Sequence, residues 1–355
     1  MTPALEAAFA RQAEACAGLG SPFMGRMLPL LPGVIDPESA LGARLRAWPE
    51  STLGAQADSV PLRLAGGLHL LHLSGTAPAL SAVYPPHDVK PRALRLTLAD
   101  TCRGHAGALL AALDTPPQTN EVRRAAVLIA AGHWLTARLA RPLVTSEIGA
   151  SAGLNLNWDF MCLKAAGHVL GPQGAPVVLT PDWSGTPPTL CPAYVAEARG
   201  VDLRPIDVSD PDAALRLTSY LWPDQPDRLA RTRAAIALFL APDTDGVLEE
   251  GDALPWLNSR LTPRAGHCHL IYSTVAWQYL STAAQADGEA RIAAAGHDAT
   301  DDAPLAWLRM EADGAGQSAG PGARLTLRLW PGDLSIDLGR ADFHGRWIDW
   351  RAPPP

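Results

Sequence analysis

Leu5, Phe9, Ala13 and Cys16 recur every three to four residues among charged neighbours, the spacing of one face of an amphipathic helix. The stretches "LAGGLHLLHLSG" (64–75) and "RALRLTLADTCRGHAGALLAAL" (92–113) carry the same helical period. Val, Ile and Thr never cluster here as strands require, and Pro-Pro pairs at 85–86 and 116–117 punctuate the chain. Residues 1–118 therefore predict a mainly helical N-terminal domain.

From Thr119 the pattern changes. Thr119 or Asn120 can cap a helix, Glu121 suits its first turn, and an apolar run continues to Ala140. A strand, "LVTSEIG" (143–149), follows, then a turn of small residues and a further helix. Strand-like runs recur at "VDL" (201–203), "GVLEEGDA" (246–253), "CHLIYST" (268–274) and "LAWLRMEA" (305–312). The end, 324–339, alternates with period two around Pro331-Gly332, which predicts an antiparallel hairpin. Strands separated by helical stretches predict an α/β domain over 119–355, with a mostly parallel sheet and a C-terminal antiparallel hairpin. Gly314 to Gly322 reads as a low-complexity loop within it.

Composition narrows the function classes. The 355 residues are 47% hydrophobic and 18% charged, enough to bury a large core and too apolar for disorder. The formal net charge is −7, and Arg123-Arg124 is only a short basic pair, so a nucleic-acid partner is not expected. The run Ala125–Ala140 is broken by His133 and Arg138 and is too short to span a membrane. Glu6 interrupts the place where a secretory signal would be apolar. Five scattered cysteines with no C-x-x-C argue against a disulfide scaffold or zinc ribbon. The expectation is a soluble cytoplasmic protein acting on a small molecule.

The densest chemical signal is Glu147-Ile-Gly149-Ala-Ser151-Ala-Gly153-Leu154-Asn155. Acid-x-Gly-x-small-x-Gly at a strand end resembles the S-adenosylmethionine motif of Rossmann-like methyltransferases, with Ser151 where a glycine is commoner. The resemblance implies a cofactor site at Glu147, Gly149, Ser151 and Gly153. Small residues there would let backbone N–H groups approach a ligand closely. "Gly200-Val-Asp202-Leu" resembles the second strand of that fold, whose terminal carboxylate takes a ribose diol. "Glu250-Gly251-Asp252-Ala253" resembles the turn after the third strand, where an aspartate faces adenine. The span from 147 to 202 far exceeds the ~20 residues of a compact unit, so an insertion around 161–198 is expected.

The same letters spell G-x-S-x-G, the nucleophile elbow of α/β-hydrolases, with Ser151 as nucleophile and His297 or His344 as base. A strand-to-helix turn needed only for packing, in a non-catalytic nucleotide-binding protein, is a third reading. The elbow belongs mid-sheet and the cofactor loop after the first strand, so strand order separates the first two.

Several longer stretches resemble one family. "EIGASAGLNLNWD" (147–159), "PPQTNEVRRAA" (116–126), "GVDLRPIDVSDP" (200–211), "LWPDQPDRL" (221–229) and "HGRWIDW" (344–350) resemble the bacterial domain of unknown function 2332. That resemblance implies one functional unit along nearly the whole chain and transfers no catalytic residues.

Smaller signals admit more than one reading from sequence. Gln118, Asn120 and Glu121 either point into a substrate pocket or cap the helix that follows. His267-Cys268-His269 offers two histidines on one strand face without a third ligand, short of a zinc site. Asp224, Asp227 and Arg228 read as an exposed capping and ion-pair cluster. His344 is either a general base or packed beside Trp347. Cys162 and Cys268 lack activating neighbours in sequence.

Overall fold

Helices open the chain because prolines and capping hydroxyls start them. Thr2 accepts from Leu5 N at the head of helix Pro3–Gly18, Ser21 accepts from Met24 N above Pro22–Met27, and Pro61 and Pro91 sit in the first turns of Val60–Leu73 and Pro91–Gly104. The computed structural model describes residues 1–54, 57–314 and 320–355. Its contacts divide the chain into two compact units. Met1–Thr119 forms the first together with a later segment, Ser209–Ala230. Its described residues are helical or irregular, with no strand, and bury Leu5, Phe9, Cys16, Leu64, Leu68, Leu98 and Leu109. Gly66 admits the later segment, because a Cβ there would lie 2.7 Å from the Tyr220 ring.

Asn120–Val208 and Arg231–Pro355 form the second unit. Its strands are β1 (Leu143–Ile148), β2 (Cys162–Ala165), β3 (His168–Leu170), β4 (Val178–Leu179), β5 (Asp182–Ser184) and β6 (Val195–Asp202). They continue with β7 (Val247–Glu250), β8 (Cys268–Thr274), β9 (Leu305–Glu311), β10 (Ala323–Trp330), β11 (Leu334–Ala341) and β12 (Trp347–Trp350). The main sheet runs β5-β12-β11-β10-β9-β8-β1-β6-β7. The block β9-β8-β1-β6-β7 is parallel throughout, and β9 through β12 form an antiparallel meander. The chain is thus a mixed α/β protein with a large, mostly parallel sheet. Every residue of β1 and β8 is buried, as expected of parallel strands covered on both faces.

Two local expectations are corrected. No α-helix follows the glycine turn; residues 149–157 form successive turns, ending in the 3-10 helix Trp158–Phe160. Gly149, Ser151 and Gly153 take φ of +74°, +56° and +72°, and alternating left-handed residues cannot propagate a right-handed helix. Gly200, mid-strand in β6, lets this irregular segment lie on the sheet, since a Cβ there would meet Ala150 Cβ at 2.7 Å. The second strand is also longer than "VDL", and the insertion expected around 161–198 holds the short strands β2 to β5, β2 and β3 pairing antiparallel as a hairpin. Most of the loop read at 314–322 lies outside the described residues. No described helix is long and apolar enough to cross a membrane.

Candidate functional site

β1 is the first strand of the sheet in the chain, and its neighbours are β6 on one side and β8 on the other. The chain builds outward through β6 and β7, then returns to build through β8 and β9. The strand order therefore reverses beside β1, and in open α/β sheets ligands bind beyond the carboxyl ends of the strands at such a point. The turn at 149–154 sits there.

Protein acceptors already hold the amides of this turn. Gly149 N and Ala150 N donate to Val201 O at 2.9 and 3.0 Å, and Gly153 N donates to Ala150 O at 2.8 Å. Ser151 N donates to Asp202 Oδ2 at 2.9 Å, while Ala152 N and Leu154 N donate to Asn120 Oδ1 at 3.2 and 2.9 Å. These amides form no open cradle for an anion. Packing and backbone conformation by themselves account for the glycines. A Cβ on Gly149 would lie 2.4 Å from Ala276 Cβ, and one on Gly153 would lie 2.8 Å from the Phe239 ring.

The sequence-predicted residues meet unequally here. Asp202, at the end of β6, accepts from Ser151 N through one oxygen and from Arg204 N through the other, 2.9 Å each. Ile206 N returns to Ser151 O at 3.0 Å, and Gly251 N donates to Asp202 O at 3.0 Å. Three segments, 149–154, 202–206 and 251–252, are thereby tied together. The Asp252 side chain faces its own helix instead, accepting from Leu254 N at 3.0 Å as the cap of Ala253–Arg260. Asn120 does not cap the following helix; its side chain braces the glycine turn, and Glu121 caps the 3-10 helix Val122–Arg124.

Glu147 lies deepest, 1% exposed, with the Tyr272 hydroxyl donating to its Oε2 at 3.4 Å. Register explains the pair, because Glu147 and Tyr272 are direct partners of β1 and β8. Burial pushes the Glu147 carboxyl up to about 8, a rise that the Tyr272 hydrogen bond and the Arg124 charge only partly offset. At neutral pH the group is mostly protonated. Arg124 donates to Thr274 O at 2.8 Å and to Phe343 O at 2.9 Å, joining the ends of β8 and the terminal meander. Glu311 accepts from Ala276 N, Trp277 N and Gln278 N at 3.1 to 3.3 Å and fixes the loop after β8. Sequence reading missed Tyr272 and Glu311 in this role. Their only signal was a polar group inside a buried strand.

The other candidates separate from this edge. His269 is buried against Ser146 Oγ at 2.8 Å and pushed down to about 3 by burial, whereas His267 lies outside the strand with its ring against Ala265 O. Among the described residues no cluster of three or more His, Cys, Asp or Glu could hold a metal. Asp224, in the first unit, accepts from Ser21 Oγ and Phe23 N, so it holds another helix start. Ser151 is 8% exposed, and among the described residues its Oγ has no hydrogen-bond partner, His297 and His344 included. Cys162 and Cys268 are free and buried, and burial raises the Cys268 thiol to about 12.

No curated protein and no solved structure matches the chain. A family model does, over residues 6–350, nearly end to end. Residues of both units are thus matched by one family model, and the chain belongs to the family described as uncharacterized protein conserved in bacteria (DUF2332).

Proposed function

We propose that the chain binds an adenosyl-type ligand, S-adenosylmethionine first among them, in a Rossmann-like, methyltransferase-type site, and transfers a methyl group to a small molecule. The observation that carries this reading is the mutual bonding of 149–154, 202–206 and 251–252 at the carboxyl edge where strand order reverses. The turn follows the first strand of the sheet, as a cofactor loop does and a hydrolase elbow does not. The bonded amides argue against a diphosphate ligand. A cationic sulfonium needs acceptors, and the edge supplies carboxylate and carbonyl oxygens.

The residues fit the group in two respects. Ser151 Oγ is a buried hydroxyl with no partner, which a ligand would satisfy. Each Asp202 oxygen accepts one backbone N–H and keeps lone-pair capacity for a diol. Asp202 and Ser151 would hold the nucleoside side, and Asn120 would keep the turn in place. When bound, the cofactor supplies an activated methyl group. The protein's part is alignment of the acceptor atom and exclusion of water. Glu147 holds its proton beside Tyr272 and presents no buried anion at neutral pH.

The test is thermal denaturation with S-adenosylmethionine or its demethylated product. At about 100 times the dissociation constant, binding adds ~2.7 kcal/mol and raises Tm. An unchanged Tm with both compounds at millimolar concentration would remove the reading. Labelling of Ser151 by a fluorophosphonate would replace it with the hydrolase.

A further inference from the structure

A cavity of about 560 Å³ adjoins the first half of β6, Val195–Ala198, away from the Val201–Asp202 end that binds the glycine turn. Its volume falls within the range of small-molecule sites. Asn157, Trp158, Asp159, Tyr194, Asp243 and Asp245 line it, and no lysine or arginine does. The remaining carboxylate on its wall, Glu197, is ion-paired with Arg260 and Arg264. Among the described residues Asp159, Asp243 and Asp245 have no such partner, so the cavity carries uncompensated negative charge.

Two further observations point to a ligand. Trp158 and Asn157 are 1% and 3% exposed, yet Trp158 Nε1 and Asn157 Nδ2 have no hydrogen-bond acceptor. Buried donors are normally satisfied, and an unmet pair on a cavity wall calls for an acceptor from outside the chain. Tyr194 and Phe160 also line the cavity and are 69% and 38% exposed, large aromatic faces left uncovered. Aromatic faces beside carboxylates attract cations.

We propose that this cavity binds a small organic cation, a protonated or quaternary amine that also carries a hydrogen-bond acceptor. The carboxylates and ring faces take the charge, and the Trp158 and Asn157 N–H groups take the acceptor. This site stands independently of the adenosyl reading, because it uses other residues at the other end of β6.

The test is calorimetric titration of the full chain with choline, glycine betaine and ethanolamine, alongside 3,3-dimethylbutan-1-ol, the uncharged isostere of choline. It is run at pH 8, where Asp159, raised by burial to about 6, is ionised. At least one cation should bind saturably, with the neutral isostere about tenfold weaker or more. Asp245→Asn, in an exposed loop where folding is not at stake, should weaken the cation severalfold and leave the isostere unchanged. Equal binding of cation and isostere would overturn the proposal. So would absence of binding by choline, glycine betaine and ethanolamine alike up to about 10 mM.

Discussion

Glu147 shows how burial changes a residue that the sequence singles out. As a motif acid it reads as an anion; enclosed by β1, β6 and β8 it is a carboxyl that keeps its proton to about pH 8. Below its ordinary value of 4.5 the folded and unfolded chains are both protonated, and no penalty arises. Between 4.5 and about 8 only the unfolded chain ionises, so stability falls as pH rises and levels off above 8. Glu147→Gln keeps an acceptor for Tyr272 and removes this dependence. Its stability advantage over the wild type should grow by about 5 kcal/mol across that window, read from urea unfolding at several pH values. Parallel pH profiles for the two proteins would contradict the buried, protonated state.

At the scale of elements, the glycine turn is a knot of hydrogen bonds, and Asn120 is its outside support. Asn120→Ala leaves Ala152 N and Leu154 N buried without an acceptor and should cost about 3 kcal/mol in chemical denaturation. Asn120→Asp retains the accepting oxygen and should restore most of it; equal losses in both variants would show that the side chain acts through packing. The strands were legible where buried apolar runs are flanked by turn signals: β8 matches the predicted 268–274, and β9 at Leu305–Glu311 ends one residue before the predicted 305–312. The hairpin was legible in its two-residue period. The helix after Gly149 was misread because three left-handed residues override helical spacing, and nothing local marks Ser151 as one of them. The brace from Asn120 was invisible for a different reason: it joins residues 32 and 34 positions apart. Asp202 was found at its strand end, but the two backbone amides it accepts make its removal costlier to the turn than an exposed carboxylate would suggest.

Across the whole molecule, one family model spans both units, and the second unit concentrates its convergent loops at the carboxyl edge of a parallel block. That placement, rather than open amides or a motif alone, supports an adenosyl ligand at this edge. The most direct measurement is amide hydrogen exchange of the full chain with and without saturating S-adenosylmethionine. Local opening governs exchange at loop amides, so a ligand seated on the turn must suppress that opening. A ligand seated there should slow exchange in 149–156, 203–206 and 251–253 and nowhere else. Unchanged exchange in those three segments, or protection confined to 157–161 and 194–198, would contradict the adenosyl reading.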